Sequence, residues 1–445
     1  MAESINLWIK MYKNEANWLN EDVKSLNLAA SIASEFATLV TLEMKSEITG
    51  SKRAEFLNKQ YQRILANLDT YLEYANAGGG VVFKPYVSNG KIITDVIQAD
   101  SFFPVEFDGN GNCTAAVFIA QKTINSTIYT KLEYHKYDAT TKIHTITNKA
   151  FASKTKDTLG TMTSLKEVPE WSSLMEVIPI LNVEKPMFAY YKVPIANNVD
   201  TKSPLGVSVY SRAIDTIKDA DKQYGKTMWE YDASEKMVFA SQEILESHKK
   251  ADGTRKYSLA KMAKRLFKGL SVDKEDVKEL IHEYSPEIRD EAFWRGFNKI
   301  LQRIEFQCKL AYCTLSDPTY TDKTAEEIRA SKQRSYSSVS KMQTSLQNTL
   351  EHLIYILDVL ATLYELVEDG DYDTYYEWDD SLVVDGATEQ RIRQQEVREG
   401  LRTRKSYIMY RYGYTEKQAE EELKNIMQEK KEIEKQTASL YPTEE

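Results

Sequence analysis

One cluster of acidic residues in the C-terminal third of the chain has a spacing that suits cation binding. Positions 1, 3, 5, 9 and 12 of an EF-hand-like loop are occupied by Asp369, Asp371, Asp373, Glu377 and Asp380. The sixth position of such a loop requires glycine for its sharp turn, but here it is a threonine, and the twelfth ligand is Asp instead of the longer Glu. The favoured interpretation is therefore a solvated acidic strand, with a calcium site as the alternative.

Histidine, cysteine and glycine spacing gives no sign of catalysis. The histidines contain no HExxH pair and the three cysteines form no CxxC pair. These residues are His135, His144, His248, His282 and His352, and Cys113, Cys308 and Cys313. The glycine run 78–80 lacks the Lys-Ser/Thr of a P-loop and the spacing of a dinucleotide fingerprint, so it predicts a turn from a helix into a strand. We expect no enzyme, no metal and no cofactor, and we expect assembly in a reducing compartment.

The segment 255–268 is strongly basic. It contains six cations and no acid, and apolar residues between them suggest one side of a short amphipathic helix. Its cations are Arg255, Lys256, Lys261, Lys264, Arg265 and Lys268. Two interpretations stay open, a solvated helix face and a surface that binds a partner.

Composition sets the broad class of the protein. A chain of 445 residues predicts two to four domains. Glycine and proline make up only about 6% of it, which favours long helices over a turn-rich β-architecture. The net charge of −9 argues against a protein that binds nucleic acid over its whole surface. No apolar run is long enough to span a membrane, and the first residues do not resemble a signal peptide.

Hydrophobic periodicity predicts helices first and β-structure next. Residues 1–75 have helical spacing, and 78–204 is rich in short strand patterns. Asn89-Gly90 and the segment Asp108 to Gly111 predict two hairpin turns. A helix is predicted from Leu205 to about residue 233.

The second half is predicted to be mostly helical. Short mixed elements at 237–285 precede a helix from Pro286 to about 313, which ends before Pro318. A long helix is then predicted from Thr324, whose spacing to Glu327 is that of a capping box, to about residue 368. An acidic strand at 371–384 and helices at 389–434 complete the chain.

The predicted helix 286–313 has two distinct faces. At 100° per residue, its apolar side chains fall on one side, and these are Phe297, Ile300, Ile304, Cys308 and Ala311. The opposite side carries Arg295, Lys299, Gln302 and Lys309. The apolar face is expected to pack against protein. For a monomer, the polar face would be an ordinary solvated surface.

Several short segments, in their order along the chain, resemble the portal proteins of tailed bacteriophages. The resemblance covers nearly the whole chain and rests on the order of these motifs. The segments are Gln98-Ala99-Asp100, Phe103-Pro104-Val105, Asn148-Lys149-Ala150-Phe151, Ser203 to Tyr210, Asp221-Lys222-Gln223-Tyr224, and Asp322 to Ile328.

The resemblance implies an α+β portal fold with a mixed α/β wing, a two-helix stem, a clip insertion, a long bridging helix and a helical crown. The implied boundaries are 1–204 for the wing, 205–236 and 285–313 for the stem helices, 237–284 for the clip, 314–323 for the tunnel loop, 324–386 for the long helix and acidic strand of the wing, and 387–445 for the crown and tail.

The resemblance also implies a function. Such proteins form a ring of twelve subunits at one capsid vertex, conduct double-stranded DNA during packaging and ejection, and bind the terminase large subunit. Other implied partners are the major capsid and scaffolding proteins and the head-completion or connector proteins. The implied location is the virion, after assembly in the cytoplasm of the bacterial host. The alternative is a capsid-associated ring or scaffold adaptor that does not contact DNA.

Three sets of site residues follow from the resemblance. The tunnel loop, expected to touch DNA, contributes Asp317, Thr319, Tyr320, Asp322 and Lys323. The expected channel-facing residues of the second stem helix are Arg295, Lys299, Gln302 and Lys309. The basic segment of the clip is expected to bind terminase or to surround entering DNA. Aromatic residues at the stem–clip junctions are expected to pack between subunits, and these are Trp229, Tyr231, Tyr284 and Trp294.

Overall fold

A computed structural model describes two compact units, Met1–Glu377 and Trp378–Glu445. In the first unit it describes every residue except 43, 156–157, 321–323 and most of 235–288, where five short strands and residue 287 are described. In the second unit it describes 378, 386–412, 414 and 418–428.

The order of helices and strands follows the sequence prediction, except for strand β1 between the first helices. The helices are α1 (Ala2–Tyr12), α2 (Leu28–Thr41), α3 (Lys52–Leu65), α4 (Leu68–Gly78), α5 (Ile214–Ala233), α6 (Asp290–Cys308), α7 (Ala325–Leu363), α8 (Gly386–Arg398), α9 (Arg404–Tyr412) and α10 (418–428). The strands are β1 (Lys45–Gly50), β2 (Gly80–Ser88), β3 (Lys91–Gln98), β4 (Phe102–Phe107), β5 (Cys113–Ile124), β6 (Thr127–Asp138), β7 (Ile143–Ser153), β8 (Thr161–Thr163), β9 (Val177–Ile180), β10 (Ala189–Lys192), β11 (Met237–Ser241), β12 (Ser247–Lys249), β13 (Arg255–Tyr257), β14 (Phe267–Leu270), β15 (Ile281–Tyr284) and β16 (Tyr372–Glu377).

The largest sheet has the order β4-β5-β6-β7-β8, with β9 also paired to β7. A second sheet, β10-β2-β3, lies beside it in the first unit, and both contain a predicted hairpin. Asn89 and Gly90 connect β2 to β3 with φ angles of 51° and 68°, the left-handed values that a two-residue turn requires. Asp108 accepts hydrogen bonds from the backbone of the β4–β5 turn. Both predicted hairpins are confirmed.

Gly79 joins α4 to β2 as the glycine run predicts. Its contacts also help to explain why the helix predicted from Leu205 is wrong at its start. Its φ is 96°, and a Cβ there would lie 2.7 Å from the carbonyl oxygen of Gly206. Nearby, Val209 N–H and Ser208 Oγ donate to Asn76 O at 3.0 and 3.2 Å. The segment that follows Leu205 therefore packs against the end of α4 and is not helical. The helix predicted from Leu205 begins instead at Ile214.

The helix predicted to extend to residue 313 ends earlier. α6 ends at Cys308, because Lys309 adopts a left-handed φ of 64° and Leu310 N–H bonds back to Glu305 O at 2.9 Å. Lys309 therefore lies beyond the helix, and so does Ala311. The predicted start at Pro286 lies outside the described residues, and α6 begins at Asp290.

The long helix is confirmed, together with its capping box between Thr324 and Glu327. α7 has 39 residues, about 58 Å at 1.5 Å per residue, and ends at Leu363 instead of residue 368. Its apolar second half is buried in the first unit. The guanidinium of Arg53, from α3, is fully buried near the end of α7, where it donates to Asp358 Oδ1 at 2.8 Å and to Val367 O at 3.1 Å.

The acidic segment forms strand β16, which pairs with β1, a strand that the sequence analysis did not predict. Asp373 pairs with Thr49 and Glu377 with Lys45, while Asp369 lies 3.6 Å from Arg53. The carboxylates are thus spread along a strand. Within the described residues no group of three or more metal-ligating side chains is present, and Asp380 lies outside them.

Candidate functional site

The candidate site is built on α5 and α6, which run antiparallel. Arg289 donates to both carboxylate oxygens of Glu230 at 2.9 and 2.8 Å, and Trp294 Nε1 donates to Tyr231 OH at 2.8 Å. Further along the pair, the ring of Phe297 is buried against α5. These contacts fix the rotation of α6 about its axis, and so decide which side chains face the solvent of the isolated chain.

The amphipathic pattern of α6 is confirmed in its helical part. Phe297, Ile304 and Cys308 are buried, while Arg295 and Lys299 are exposed. Arg295 forms a 2.9 Å salt bridge with Glu291, one helical turn away. Gln302 is half-buried. The sequence analysis missed Arg303, which is also exposed and continues the row at the four-residue spacing of Arg295 and Lys299. Whether this basic row faces a channel remains a prediction.

Lys309 is exposed but does not belong to the helical row, since it follows the last turn of α6. Partial desolvation of its amino group and the neighbouring charges of Arg212 and Lys341 lower its pKa. Three cations from separate segments therefore lie near the end of α6. Arg212 and Lys341 were not predicted as site residues, because their proximity to Lys309 depends on the tertiary structure.

The loop between α6 and α7 contains the predicted tunnel-loop residues. Asp317 and Thr319 are exposed, and Thr319 N–H donates to Asp317 Oδ1 at 2.7 Å, which lowers the pKa of Asp317. Tyr320 ends a short 3₁₀ turn, Pro318–Tyr320. Asp322 and Lys323 lie outside the described residues. Their contact with DNA therefore stays a prediction.

Two buried polar residues of α6, Asn298 and Glu305, bind this loop and were not predicted. Both lie among the apolar side chains of the helix, and Glu305 is next to the fully buried Ile304. An acid on the apolar face of an amphipathic helix was the signal available in the sequence, since a buried carboxylate needs partners. The structure supplies those partners from the loop.

The basic segment 255–268 lies partly in strands. Arg255 and Lys256 belong to β13, which pairs with β12, and Lys268 belongs to β14, which pairs with β11 in parallel. Phe267 also begins β14, so the predicted amphipathic helix cannot extend to residue 267. Lys261, Lys264 and Arg265 lie outside the described residues, as does most of the remaining predicted helix.

The largest sheet has one open face. In an antiparallel sheet, directly paired residues point to the same side. One such row across five strands consists of Phe103, Val117, Tyr134, Thr147 and Val177. Phe103 keeps 45% of its surface exposed and Val177 keeps 55%, and Met162 on the same face keeps 66%. The neighbouring row on the opposite face, which includes Phe102 and Phe118, is buried.

That buried face brings together two histidines that the sequence analysis treated as scattered. Met187 N–H donates to His144 Nδ1 at 3.4 Å, so a neutral His144 carries its proton on Nε2. It then donates to His135 Nδ1 at 2.9 Å, and His135 donates through Nε2 to Glu133 Oε1 at 2.8 Å. Lys84 and Lys131 also bond to Glu133, at 2.7 and 2.6 Å. The side chains of His144, His135, Glu133, Lys84 and Lys131 therefore form one hydrogen-bonded network.

Trp229, near the end of α5, is the most exposed aromatic side chain among the described residues, with 67% of its surface accessible. Its predicted packing between subunits is compatible with this exposure but is not tested by it. The indole of Trp294 lies at the same end of the helix pair and is bound to Tyr231 within the chain. Tyr284 lies in β15, where only the backbone is described.

The chain matches a known protein family. A family model described as phage portal protein, SPP1 Gp6-like, matches residues 7–436. None of the curated proteins matches the chain. No helix among the described residues is long and apolar enough to cross a membrane.

Proposed function

This chain belongs to the phage portal proteins of the SPP1 Gp6-like family, which are structural and not enzymatic, and from this premise we propose its detailed function. The protein forms a twelve-subunit ring at one capsid vertex and conducts double-stranded DNA during packaging and ejection. It binds the terminase large subunit first and the head-completion or connector proteins later. The family match over nearly the whole chain is the observation that carries this proposal.

The proposed domains follow the breaks of this chain. Residues 1–204, α7 and β16 form the wing, which contacts major capsid and scaffolding proteins. α5 and α6 lie in the stem segments 205–236 and 285–313, β11–β15 lie in the clip at 237–284, and residues 387–445 form the crown and tail. The α6–α7 loop is the tunnel loop. The family match, which extends from the wing into the crown, is what supports this assignment.

Ring formation is supported by apolar surface that the isolated chain leaves exposed. A sheet normally buries its apolar face against another layer, yet Phe103, Met162 and Val177 remain about half or more exposed. Trp229 adds a large exposed aromatic side chain on α5. In a cyclic ring each copy offers two different surfaces to its two neighbours, so separate patches of this kind are expected. We propose that the two neighbouring copies of the chain in the ring cover these two patches.

DNA conduction is supported by the charge of the exposed side of α6. Arg295, Lys299 and Arg303 form a basic row on a protein whose net charge is −9. Repeated in every subunit, such rows attract phosphates without sequence preference. Because each subunit contributes only a few cations, the contacts stay weak and salt-sensitive, which suits a duplex that must move.

The ring itself is tested by imaging the purified protein with negative stain. A ring with a central hole wide enough for a DNA duplex is expected, and a population of monomers only would contradict the proposal. Trp229→Asp should shift the protein toward monomers, because it places a charge in a contact between copies. Val199→Asp, at another exposed apolar position, is the matched control and should leave the ring intact.

DNA conduction is tested by reversing the basic row to Arg295→Glu, Lys299→Glu and Arg303→Glu in one variant. Rings should still form, while the amount of DNA packaged per head falls and its salt dependence weakens. Reversal of the exposed Lys24, Lys59 and Lys91 gives the control with the same change in net charge. Normal packaging by the α6 variant would favour the alternative, a structural ring that does not contact DNA.

Terminase binding through the clip is tested by changing Lys261, Lys264, Arg265 and Lys268 to Glu. Intact rings that no longer bind the terminase large subunit are expected. Lys323→Ala tests the tunnel loop separately, with a change in packaged genome length or DNA retention as the expected result. If either variant behaves as the parent, the charge it removes has no role in that step.

A further inference from the structure

The α6–α7 loop begins with a turn of unusual backbone conformation. Lys309 and Cys313 have φ angles of 64° and 68°, left-handed values that cost about 1 kcal/mol or more for residues other than glycine. Neither position is a glycine, so the surrounding contacts must impose these conformations. The loop residues that follow, 314–317, contain no helix or strand. Their backbone hydrogen bonds must therefore come from elsewhere.

Glu305 supplies two of those backbone bonds. It is fully buried, and its Oε1 accepts the backbone N–H groups of Leu315 and Ser316 at 2.7 and 2.8 Å. Its Oε2 accepts the hydroxyl of Ser316 at 2.9 Å. Three donors thus converge on one carboxylate away from water, where hydrogen bonds to a charged group are strong and their loss is costly.

Asn298 binds the next loop residue from the same side of α6, two turns earlier. Its Oδ1 accepts Asp317 N–H at 2.7 Å and its Nδ2 donates to Asp317 O at 3.2 Å. The side-chain amide therefore pairs with both backbone groups of Asp317, as a neighbouring strand would. Asn298 and Glu305, which we call the loop anchor, hold residues 315–317 along α6.

α7 also contacts the start of the loop. Ser331 Oγ, fully buried, accepts Tyr312 N–H at 3.1 Å. The guanidinium of Arg334 lies over the rings of Phe306 and Tyr312, with its carbon 5.0 and 5.6 Å from their centroids. The first part of the loop is thus fixed to both helices, and the exposed part begins at Asp317 and Pro318.

We propose that Glu305 and Asn298 are positioning residues that make residues 310–317 a rigid extension of α6, so that a displacement of α6 moves the exposed part of the loop with it. The inference rests on the proposed function, in which this loop faces the DNA. The loop is then not a freely moving flap. The position of its anchored part relative to DNA is set by the stem helix.

The test compares Glu305→Ala with Glu305→Gln in assembled rings. Gln keeps an oxygen that can accept both backbone N–H groups and an amide that can donate to Ser316 Oγ, whereas Ala leaves the donors without a partner. By hydrogen exchange, peptides covering 310–317 should exchange about tenfold faster in Glu305→Ala and nearly as in the parent in Glu305→Gln. Asp219→Ala, which removes an exposed carboxylate on α5, is the control for exchange.

The functional readout is DNA packaging and retention in heads that contain these rings. Glu305→Ala should lower the fraction of heads that retain a full-length genome, while terminase binding is unchanged and Glu305→Gln restores retention. If Glu305 only stabilised the fold, Glu305→Ala would lower terminase binding together with DNA retention. If Glu305→Ala does not fold, Asn298→Asp serves instead, because Asp accepts from Asp317 N–H but cannot donate to Asp317 O.

Unchanged exchange in both Glu305→Ala and Asn298→Asp would overturn the loop anchor. Faster exchange with normal packaging and retention would overturn its positioning role. Failure of the proposed function would look different, because the parent protein itself would then form no rings or package no DNA.

Discussion

The buried polar groups of the largest sheet and those of α6 solve different structural problems. In the sheet, Lys84, Lys131 and His135 surround Glu133, so charged and polar side chains satisfy one another. In the loop anchor, Asn298 and Glu305 instead satisfy backbone groups of a segment without regular structure. Both clusters are buried, but only the second replaces hydrogen bonds that a helix or strand would otherwise provide.

The sheet cluster therefore acts on the stability of the first unit, whereas the loop anchor acts on the position of the loop. The strands around Glu133 are already defined by their backbone ladders, with ten paired positions between β5 and β6 alone. A defect there leaves buried charges unpaired and lowers the stability of the whole unit. A defect in the loop anchor removes side-chain hydrogen bonds that hold residues 315–317 to α6. Its main consequence is a change in loop position.

The largest expected effect is that of Glu133→Ala. It leaves Lys84, Lys131 and His135 without their common partner in a buried site, and the free energy of unfolding should fall by about 3–5 kcal/mol. Chemical denaturation followed by tryptophan fluorescence measures this loss. Glu106→Ala, which breaks a half-exposed salt bridge to Lys136 on the same sheet, should cost less than about 1 kcal/mol. Equal losses for the two variants would contradict the comparison.

Phe297→Asp tests whether the loop anchor depends on the packing of α6 against α5. The ring of Phe297 is buried near Trp294 and Tyr224, so an unpaired carboxylate there should cost about 2–4 kcal/mol and prevent ring formation. Size-exclusion chromatography measures ring formation. Hydrogen exchange of 310–317 measures whether the loop anchor is lost with the packing of α6. Phe306→Asp, at a half-exposed position of the same helix, should have a smaller effect on assembly. Normal rings from Phe297→Asp would show that the face assignment is wrong.

Acidification should weaken the sheet network. Burial lowers the pKa of His135, and it lowers the pKa of His144 to about 2. Burial alone would raise the pKa of Glu133, but the bond from His135 and the charges of Lys84 and Lys131 lower it overall. The unfolded chain therefore binds protons first as the pH falls below about 6.5 for histidine, and again below about 4.5 for Glu133.

Stability should consequently decrease by about 1–3 kcal/mol between pH 6.5 and 5.5, with a further loss as the pH passes through 4.5. Melting temperatures measured across this range test the prediction. His144→Gln removes one of the two histidines of the sheet network and should reduce the slope, even if it lowers stability at neutral pH. An unchanged slope would indicate that His144 is not a source of the pH dependence.

The smallest expected effect is that of Ser316→Ala in the loop anchor. It removes one hydrogen bond to Glu305 Oε2 and one from Cys313 N–H, but keeps the two backbone donors to Oε1. Global stability should fall by only about 0.5–1.5 kcal/mol. Ser338→Ala, whose hydroxyl bonds to Arg334 O within α7, is a matched serine control. A loss above about 3 kcal/mol would contradict the view that the loop anchor acts on loop position and not on global stability.

Local sequence patterns predicted those features that depend on neighbouring residues. Asn89-Gly90 was sufficient for its hairpin, because left-handed backbone conformations favour these residues. The spacing of Thr324 and Glu327 predicted the start of α7 for the same local reason. The buried row of α6 with Phe297 and Ile304 followed from helical periodicity.

Features that depend on distant contacts were missed or misplaced. The segment after Leu205 has a helical pattern, but Ser208 and Val209 bond to Asn76 and keep it from being helical. β1 was not predicted, because it is a short polar strand whose partner β16 lies more than 300 residues further along the chain. Sequence patterns describe how a residue relates to its neighbours, and they contain little information about such pairings.

The sequence by itself determined the family, the order of the elements, and the two faces of α6, because motif order and periodicity are properties of the chain. The tertiary structure decided where α5 begins and where α6 ends, and it brought Lys309 close to Arg212 and Lys341. It also gave Glu305 its partners. A buried carboxylate can be recognised in a helical pattern, but which donors satisfy it depends on how the following loop folds back onto the helix.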